Sequence, residues 1–147
     1  PPPAGPEIAP VEYYWHAERR YRVPLARGWR VIERFRPDQD RLEREGADFT
    51  CGFGRGSAEA SGTPESFLDR MADRLLKANP GADRVETRLA GCPAVRIRIP
   101  RSESTLWCVL FVRQGRAFSL IAERPGVHAD PPEEVQGLWE RIEFPAQ

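Results

Sequence analysis

The chain has 147 residues, with 22 Lys+Arg balanced by 22 Asp+Glu and a net charge of zero. That length is enough for one domain with a proper core, since a chain of about 150 residues buries roughly 68–70% of its unfolded surface. Neutrality removes the long-range attraction used in generic binding to nucleic acid or anionic membranes, and no apolar run approaches the roughly 18 residues of a membrane span. Lys77 is the only lysine, so every other basic residue is arginine. A GC-rich coding bias explains this as readily as guanidinium chemistry does. Cys51, Cys92 and Cys108 are odd in number and widely spaced, unlike a disulfide framework or a zinc site. Free thiols are expected, with one bridge plus one thiol as the alternative.

Residues 1–10 read Pro-Pro-Pro-Ala-Gly-Pro-Glu-Ile-Ala-Pro, an extended composition that resists packing and commonly serves as a spacer. The expected organisation is a Pro-rich linker or tether over 1–10 and a single domain over 11–147. Without an initiator Met, either a signal or anchor segment was removed or the domain belongs to a longer protein. The compartment stays open between an exported, anchored protein and a cytoplasmic one.

Tyr13, Trp15 and Ala17 alternate with Tyr14, His16 and Glu18, and Tyr21, Val23 and Leu25 alternate with Arg20, Arg22 and Pro24. This is strand period, twice. After Gly28, Trp29, Val31 and Phe35 share one parity while Arg30 and Arg34 take the other. The charged run Arg36 to Gly46, bounded by Pro37 and Gly46, reads as a solvated loop or a single helical turn. Ala47, Phe49, Cys51 and Phe53 share one strand face that dissolves into Gly54-Arg55-Gly56-Ser57.

Thr63 to Asn79 is the clearest element. Thr63 is an N-cap, Pro64 fits the first helical position, and Asn79-Pro80-Gly81 stops the helix. Phe67, Leu68, Met71, Ala72, Leu75 and Leu76 form one apolar stripe, which must lie on a sheet face. Beyond it, Val85, Thr87 and Leu89 turn through Ala90-Gly91-Cys92-Pro93 into Val95, Ile97 and Ile99, a hairpin with one wet face. Leu106 to Val112 is apolar on both parities, as in a strand covered on both sides, and Gln114-Gly115 turns it into Phe118, Leu120 and Ile121. Asp130 and Glu133 have capping-box spacing before the stripe Val135, Leu138, Trp139 and Ile142, with Gly137 inside suggesting close approach to a neighbour.

Catalytic patterns fall short in each class. Gly52-Phe53-Gly54-Arg55-Gly56-Ser57 has Ser57 where a dinucleotide loop needs its third glycine, and the surrounding pattern is antiparallel. Neither G-x-x-x-x-G-K-[ST] nor G-x-S-x-G is present. His16 and His128 are the only histidines, and their neighbours Glu12, Glu18 and Asp130 show no shared metal geometry. No catalytic residue, metal or cofactor is therefore expected. The distinctive surface candidate is Tyr13-Tyr14-Trp15-His16 with Arg19, Arg20, Tyr21 and Arg22, because aromatic and Arg residues dominate protein-recognition hot spots. Tyr13, Trp15, Arg20 and Arg22 are the expected partner-binding residues, the bland alternative being a strand pair with half its aromatics in the core. Such residues could also stack on single strands, but neutrality lacks the electrostatic funnel that binding uses.

Four landmarks together resemble the Mog1/PsbP-like group, which includes bacterial DUF1795 proteins. They are Val23-Pro24-Leu25-Ala26-Arg27-Gly28-Trp29, similar to an early "P-x-G-W" turn; Thr63-Pro64-Glu65-Ser66-Phe67; Leu89-Ala90-Gly91-Cys92-Pro93-Ala94, similar to a "G-x-P-A" hairpin; and a final helix ending Ile142-Glu143-Phe144. The resemblance implies an α+β fold, an antiparallel sheet of about six to seven strands covered by helices. It also implies non-enzymatic binding roles, since the group includes a Ran-binding nuclear protein, photosystem accessory subunits, bacterial lipoproteins and type VI effector chaperones. The expectation is a bacterial accessory domain that holds a protein partner and binds no nucleic acid. The alternatives are an effector chaperone, which needs exposed apolar area on its sheet, and a small hydrolase or thiol enzyme using Cys92 or Cys108 with His128.

Overall fold

A computed structural model describes residues 12–146; the Pro-rich segment lies outside them. The elements run β1 (Glu12–Trp15), β2 (Arg22–Leu25), β3 (Trp29–Arg36), β4 (Gln39–Arg44), β5 (Thr50–Gly54), β6 (Ala58–Glu59), α1 (Pro64–Ala78), β7 (Asp83–Leu89), β8 (Cys92–Pro100), β9 (Ser104–Arg113), β10 (Arg116–Pro125) and α2 (Glu133–Glu140). Strands β3-β4-β5-β10-β9-β8-β7 form one antiparallel sheet, with β6 also paired to β10, giving eight strands. Strands β1 and β2 form a separate hairpin, in the register Tyr13 to Pro24 and Trp15 to Arg22.

Successive side chains of a strand point to opposite faces, and β9 shows what that does here. Trp107, Val109 and Phe111 enter one core, while Leu106, Cys108, Leu110 and Val112 enter the other. Helix α1 covers the second core through Leu68 and Ala72, with Phe67, Met71, Leu75 and Leu76 packed around them. The first core is closed by Val135, Leu138 and Trp139 of α2 and by Tyr14, Tyr21 and Val23 of the β1–β2 hairpin. The expected fold, an antiparallel sheet covered by helices on both faces, is the one observed. The start of α1 is also as expected, since the Thr63 hydroxyl accepts from the Ser66 amide at 3.1 Å.

The charged run from Arg36 to Gly46 is a correction. It contains β4, paired with both β3 and β5. Its charges hid a period of two in which Asp40 and Leu42 point inward, and the outward Glu43 receives Arg30 across the strand pair at 2.6 Å. Phe35 is a second correction. The β3–β4 register shifts between Ile32 and Arg36, and Arg34 takes a left-handed φ of 53°. That irregularity puts Phe35 on the surface at 42% exposure, with the Arg41 guanidinium 4.5 Å from its ring centroid.

Helix α2 starts later than its sequence suggests. Pro132 is the N-cap with no side-chain cap bond, because the Asp130 carboxylate pairs with Arg96 at 3.2 Å instead. The helix ends at Glu140, so Ile142-Glu143-Phe144 follows it rather than closing it. A Cβ at Gly137 would meet only Arg141 Nη2, at 3.6 Å, an ordinary contact, so no close neighbour demands glycine there. The glycines of the Gly52-Phe53-Gly54 run lie in β5 itself, between β4 and β10. A Cβ on Gly54 would sit 2.5 Å from Ser119 Oγ, so its bareness serves strand packing.

Candidate functional site

The alternation in the first hairpin sorts its aromatic residues. Tyr14, His16, Tyr21 and Val23 point into the core, and Tyr13, Trp15, Arg22 and Pro24 occupy the outer face. Inside, the Tyr21 ring packs against His16, Phe118 and Phe111 with centroids 4.8, 5.6 and 5.8 Å away. That buried half anchors the hairpin to the sheet, worth roughly 1.5–3 kcal/mol for each large apolar side chain fully buried.

On the outer face the Arg22 guanidinium lies 4.2 Å from the Tyr13 centroid and 5.5 Å from the Trp15 centroid. Arg22 is fixed by Glu143, through a side-chain bond of 2.8 Å and two backbone bonds of 2.9 and 2.8 Å. Arg19 adds a second guanidinium 5.1 Å from Trp15. The result is a layered patch of two half-buried rings and two arginines, with side-chain freedom already spent before any partner arrives. Tyr13, Trp15 and Arg19 also rim a cleft of about 320 Å³ that reaches Glu33, Asp40 and Arg55.

Two buried polar groups underlie this patch, and sequence periodicity identified neither. Asp40, 1% exposed, accepts from Tyr14 Oη at 2.6 Å, from the Arg34 amide at 2.9 Å and from Arg55. Burial alone would raise its carboxyl, but those hydrogen bonds and the Arg55 charge hold it below the ordinary carboxylate value. His16, 0% exposed, accepts the Glu18 amide on Nδ1 at 3.2 Å, which leaves Nε2 to donate to the Gly56 carbonyl at 3.2 Å. Burial lowers its imidazole below the ordinary value. The only sequence sign was the inward parity of His16 and Asp40, and at Asp40 it was masked by the charged run.

Of the expected partner-binding residues, the structure gathers Tyr13, Trp15 and Arg22. Arg20 points elsewhere, into a second cleft with Arg113 and Arg116. The three cysteines are free. Burial pushes the Cys51 thiol up to about 12 and the Cys108 thiol up to about 11, and raises Cys92 as well. Such thiols are poor nucleophiles. The pairings with His128 also fail geometrically. Its ring lies 6.5 Å from Trp107, on the opposite sheet face from Cys108. Its carbonyl accepts from Arg98, six residues and about 20 Å along β8 from Cys92. Among the described residues no three His, Cys, Asp or Glu side chains gather as metal ligands, and no helix is long and apolar enough to cross a membrane.

The class so defined is an antiparallel sheet sandwiched between α1 on one face and a hairpin plus α2 on the other, with an aromatic–arginine patch on the hairpin. Two solved structures share that fold. The Saccharomyces cerevisiae Ran-binding protein Mog1p superposes with a TM-score of 0.60 at 6% identity, over 92% of this chain and 95% of that one. A mutant of protein Mog1 superposes with a TM-score of 0.58, also at 6% identity, over 92% and 96%. At that identity the likeness concerns the fold. No protein-family model and no curated protein matches the chain.

Proposed function

We propose that this domain holds a protein partner on the outer face of the β1–β2 hairpin and performs no chemistry of its own. The observation that carries the reading is the patch itself: Tyr13 and Trp15 layered with an Arg22 that Glu143 holds in place. Trp, Tyr and Arg are the residue types that dominate binding hot spots, and a prefixed arginine loses less entropy on contact. The Ran-binding name of the similar Mog1p agrees with a protein-holding role for the fold, although a shared fold does not fix a partner.

In this reading residues 1–10 tether the domain to an anchor or a larger protein, and the motifs around Gly28-Trp29 and Gly91-Cys92-Pro93 resemble those of bacterial DUF1795-type proteins. The effector-chaperone alternative has less support. Among the described residues the exposed large apolar ones are Phe35, Val85 and Val127, on three separate segments, and the sheet surface around Phe35 intersperses Leu106 and Ile121 with Arg36, Arg41, Arg101 and Glu123. A thiol enzyme would need a lowered cysteine beside a histidine, the reverse of the arrangement found.

The test is affinity capture from the source cell with the wild type and with Trp15→Ala. A partner retained by the wild type should fall about tenfold or more with the variant, while the melting temperature drops only slightly. Equal retention, or a large loss of stability that assigns Trp15 to the core, would refute the reading.

A further inference from the structure

The salt bridges of the described residues pair Arg22, Arg30, Arg41, Arg44, Arg55, Arg84, Arg96, Arg98 and Arg124 with carboxylates. Four arginines outside that set, Arg19, Arg20, Arg113 and Arg116, line one cleft of about 120 Å³ together with Phe118 and Pro145. Their convergence is built by two hairpin tips. Arg19 and Arg20 lie in the turn between β1 and β2, and Arg19 takes a left-handed φ of 59° with its amide donating to the His16 carbonyl at 2.8 Å. Arg113 and Arg116 are direct cross-strand partners flanking the tight β9–β10 turn. Like charges placed opposite each other on a strand pair are destabilising.

Neutral or aromatic groups hold three of the four. Arg116 donates to Ser57 Oγ and to the Ser57 carbonyl, Arg113 lies 3.7 Å from the Phe144 centroid, and Arg19 lies over Trp15. Arg20 makes no hydrogen bond or ion pair among the described residues. The Glu18 carboxylate accepts from that same Ser57 Oγ at 2.9 Å, so it reaches Arg116 through the hydroxyl and pairs directly with none of the four. In a chain of zero net charge, four guanidinium groups thus share a cleft with no carboxylate within salt-bridge distance among the described residues.

We infer that this cleft receives an acidic side chain of the partner polypeptide; the inference rests on the protein-holding reading above and supplies the partner's chemistry. Guanidinium forks bind carboxylates in paired, parallel hydrogen bonds, and the cleft has room for one such group rather than for a ligand of nucleotide size. Arg19 borders both this cleft and the Tyr13–Trp15 cleft. A single extended segment can therefore place a carboxylate among the arginines and an apolar side chain on the rings. Single-stranded nucleic acid fits less well. It needs a groove that tracks several phosphates, and here the neighbouring cleft presents the Glu33 carboxylate, while its Arg55 is already paired with the buried Asp40.

The experiment measures fluorescence anisotropy with three labelled probes: the peptide Asp-Asp-Trp-Asp-Asp, its Asn-Asn-Trp-Asn-Asn counterpart, and an oligo(dT) of equal length. The wild type should bind the acidic peptide about tenfold or more tightly than the Asn peptide. Arg20→Glu should abolish that preference, and Arg19→Gly should weaken it while relieving the left-handed backbone, so its melting temperature holds. Arg74→Glu on the far face of α1 should change nothing. Equal affinity for the two peptides, an indifferent Arg20→Glu, or tighter binding of oligo(dT) would overturn the inference. In the capture assay, a partner lost with Trp15→Ala but kept with Arg20→Glu would sink this inference alone. A partner kept by both would sink the protein-holding reading as well.

Discussion

Asp40 and His16 lie on the inner side of the patch, and both report to pH. Asp40 is held below its ordinary value of 3.8. The stabilisation it provides is therefore complete above about pH 4 and is lost as pH falls through the lower folded value. His16 is also lowered, from 6.5. The unfolded chain then takes up a proton near pH 6.5 that the folded chain refuses, so stability declines as pH drops below about 6.5. Urea unfolding followed from pH 7 to pH 5 should show that decline, and His16→Gln should flatten it; an unchanged slope in the variant would remove His16 as its source. Asp40→Asn strands the buried end of Arg55 and weakens the bond to Tyr14. It should cost about 3 kcal/mol at neutral pH by the same measurement. A cost below about 1 kcal/mol would mean that the network contributes little.

Among the elements, the hairpin and the two helices show how far pattern reading reaches. Alternation around Tyr13 to Leu25 separated the aromatic residues into two parities, because strand geometry leaves no other choice, but which parity faces the core is visible only in the fold. It could not say that Glu143, some 120 residues away, would clamp Arg22, since that contact depends on where the chain goes after α2. Capping signals behaved differently at the two helices. Thr63 stands alone before its helix and caps it, whereas Asp130 has a rival in Arg96, a pairing visible only in three dimensions. Thr63→Ala should cost about 1 kcal/mol, and Asp130→Ala only the few tenths of an exposed ion pair. Comparable losses at both positions in chemical denaturation would argue that Asp130 caps α2 after all. Strand β4 was missed because its charges imitate a loop, while its inward residues, Asp40 and Leu42, include a carboxylate that no hydropathy scale places inside.

At the scale of the whole molecule, the layered architecture was legible because each layer announces itself locally. Two amphipathic helices need a surface to lie on, and a strand such as β9, apolar on both parities, needs cover on both sides. What the sequence withheld is how the hairpin tips meet. The four arginines of the cleft are far apart in the chain, at 19–20 and at 113 and 116, and only the sheet order brings them together. The surface so assembled, aromatic at one end and cationic at the other, is the working part of the molecule in this account. Hydrogen–deuterium exchange of the domain with and without its captured partner tests that most directly. New protection should fall on the amides of residues 12–25 and around the β9–β10 turn and spare α1. Protection confined to α1 and the β7 edge, with the hairpin unchanged, would contradict it.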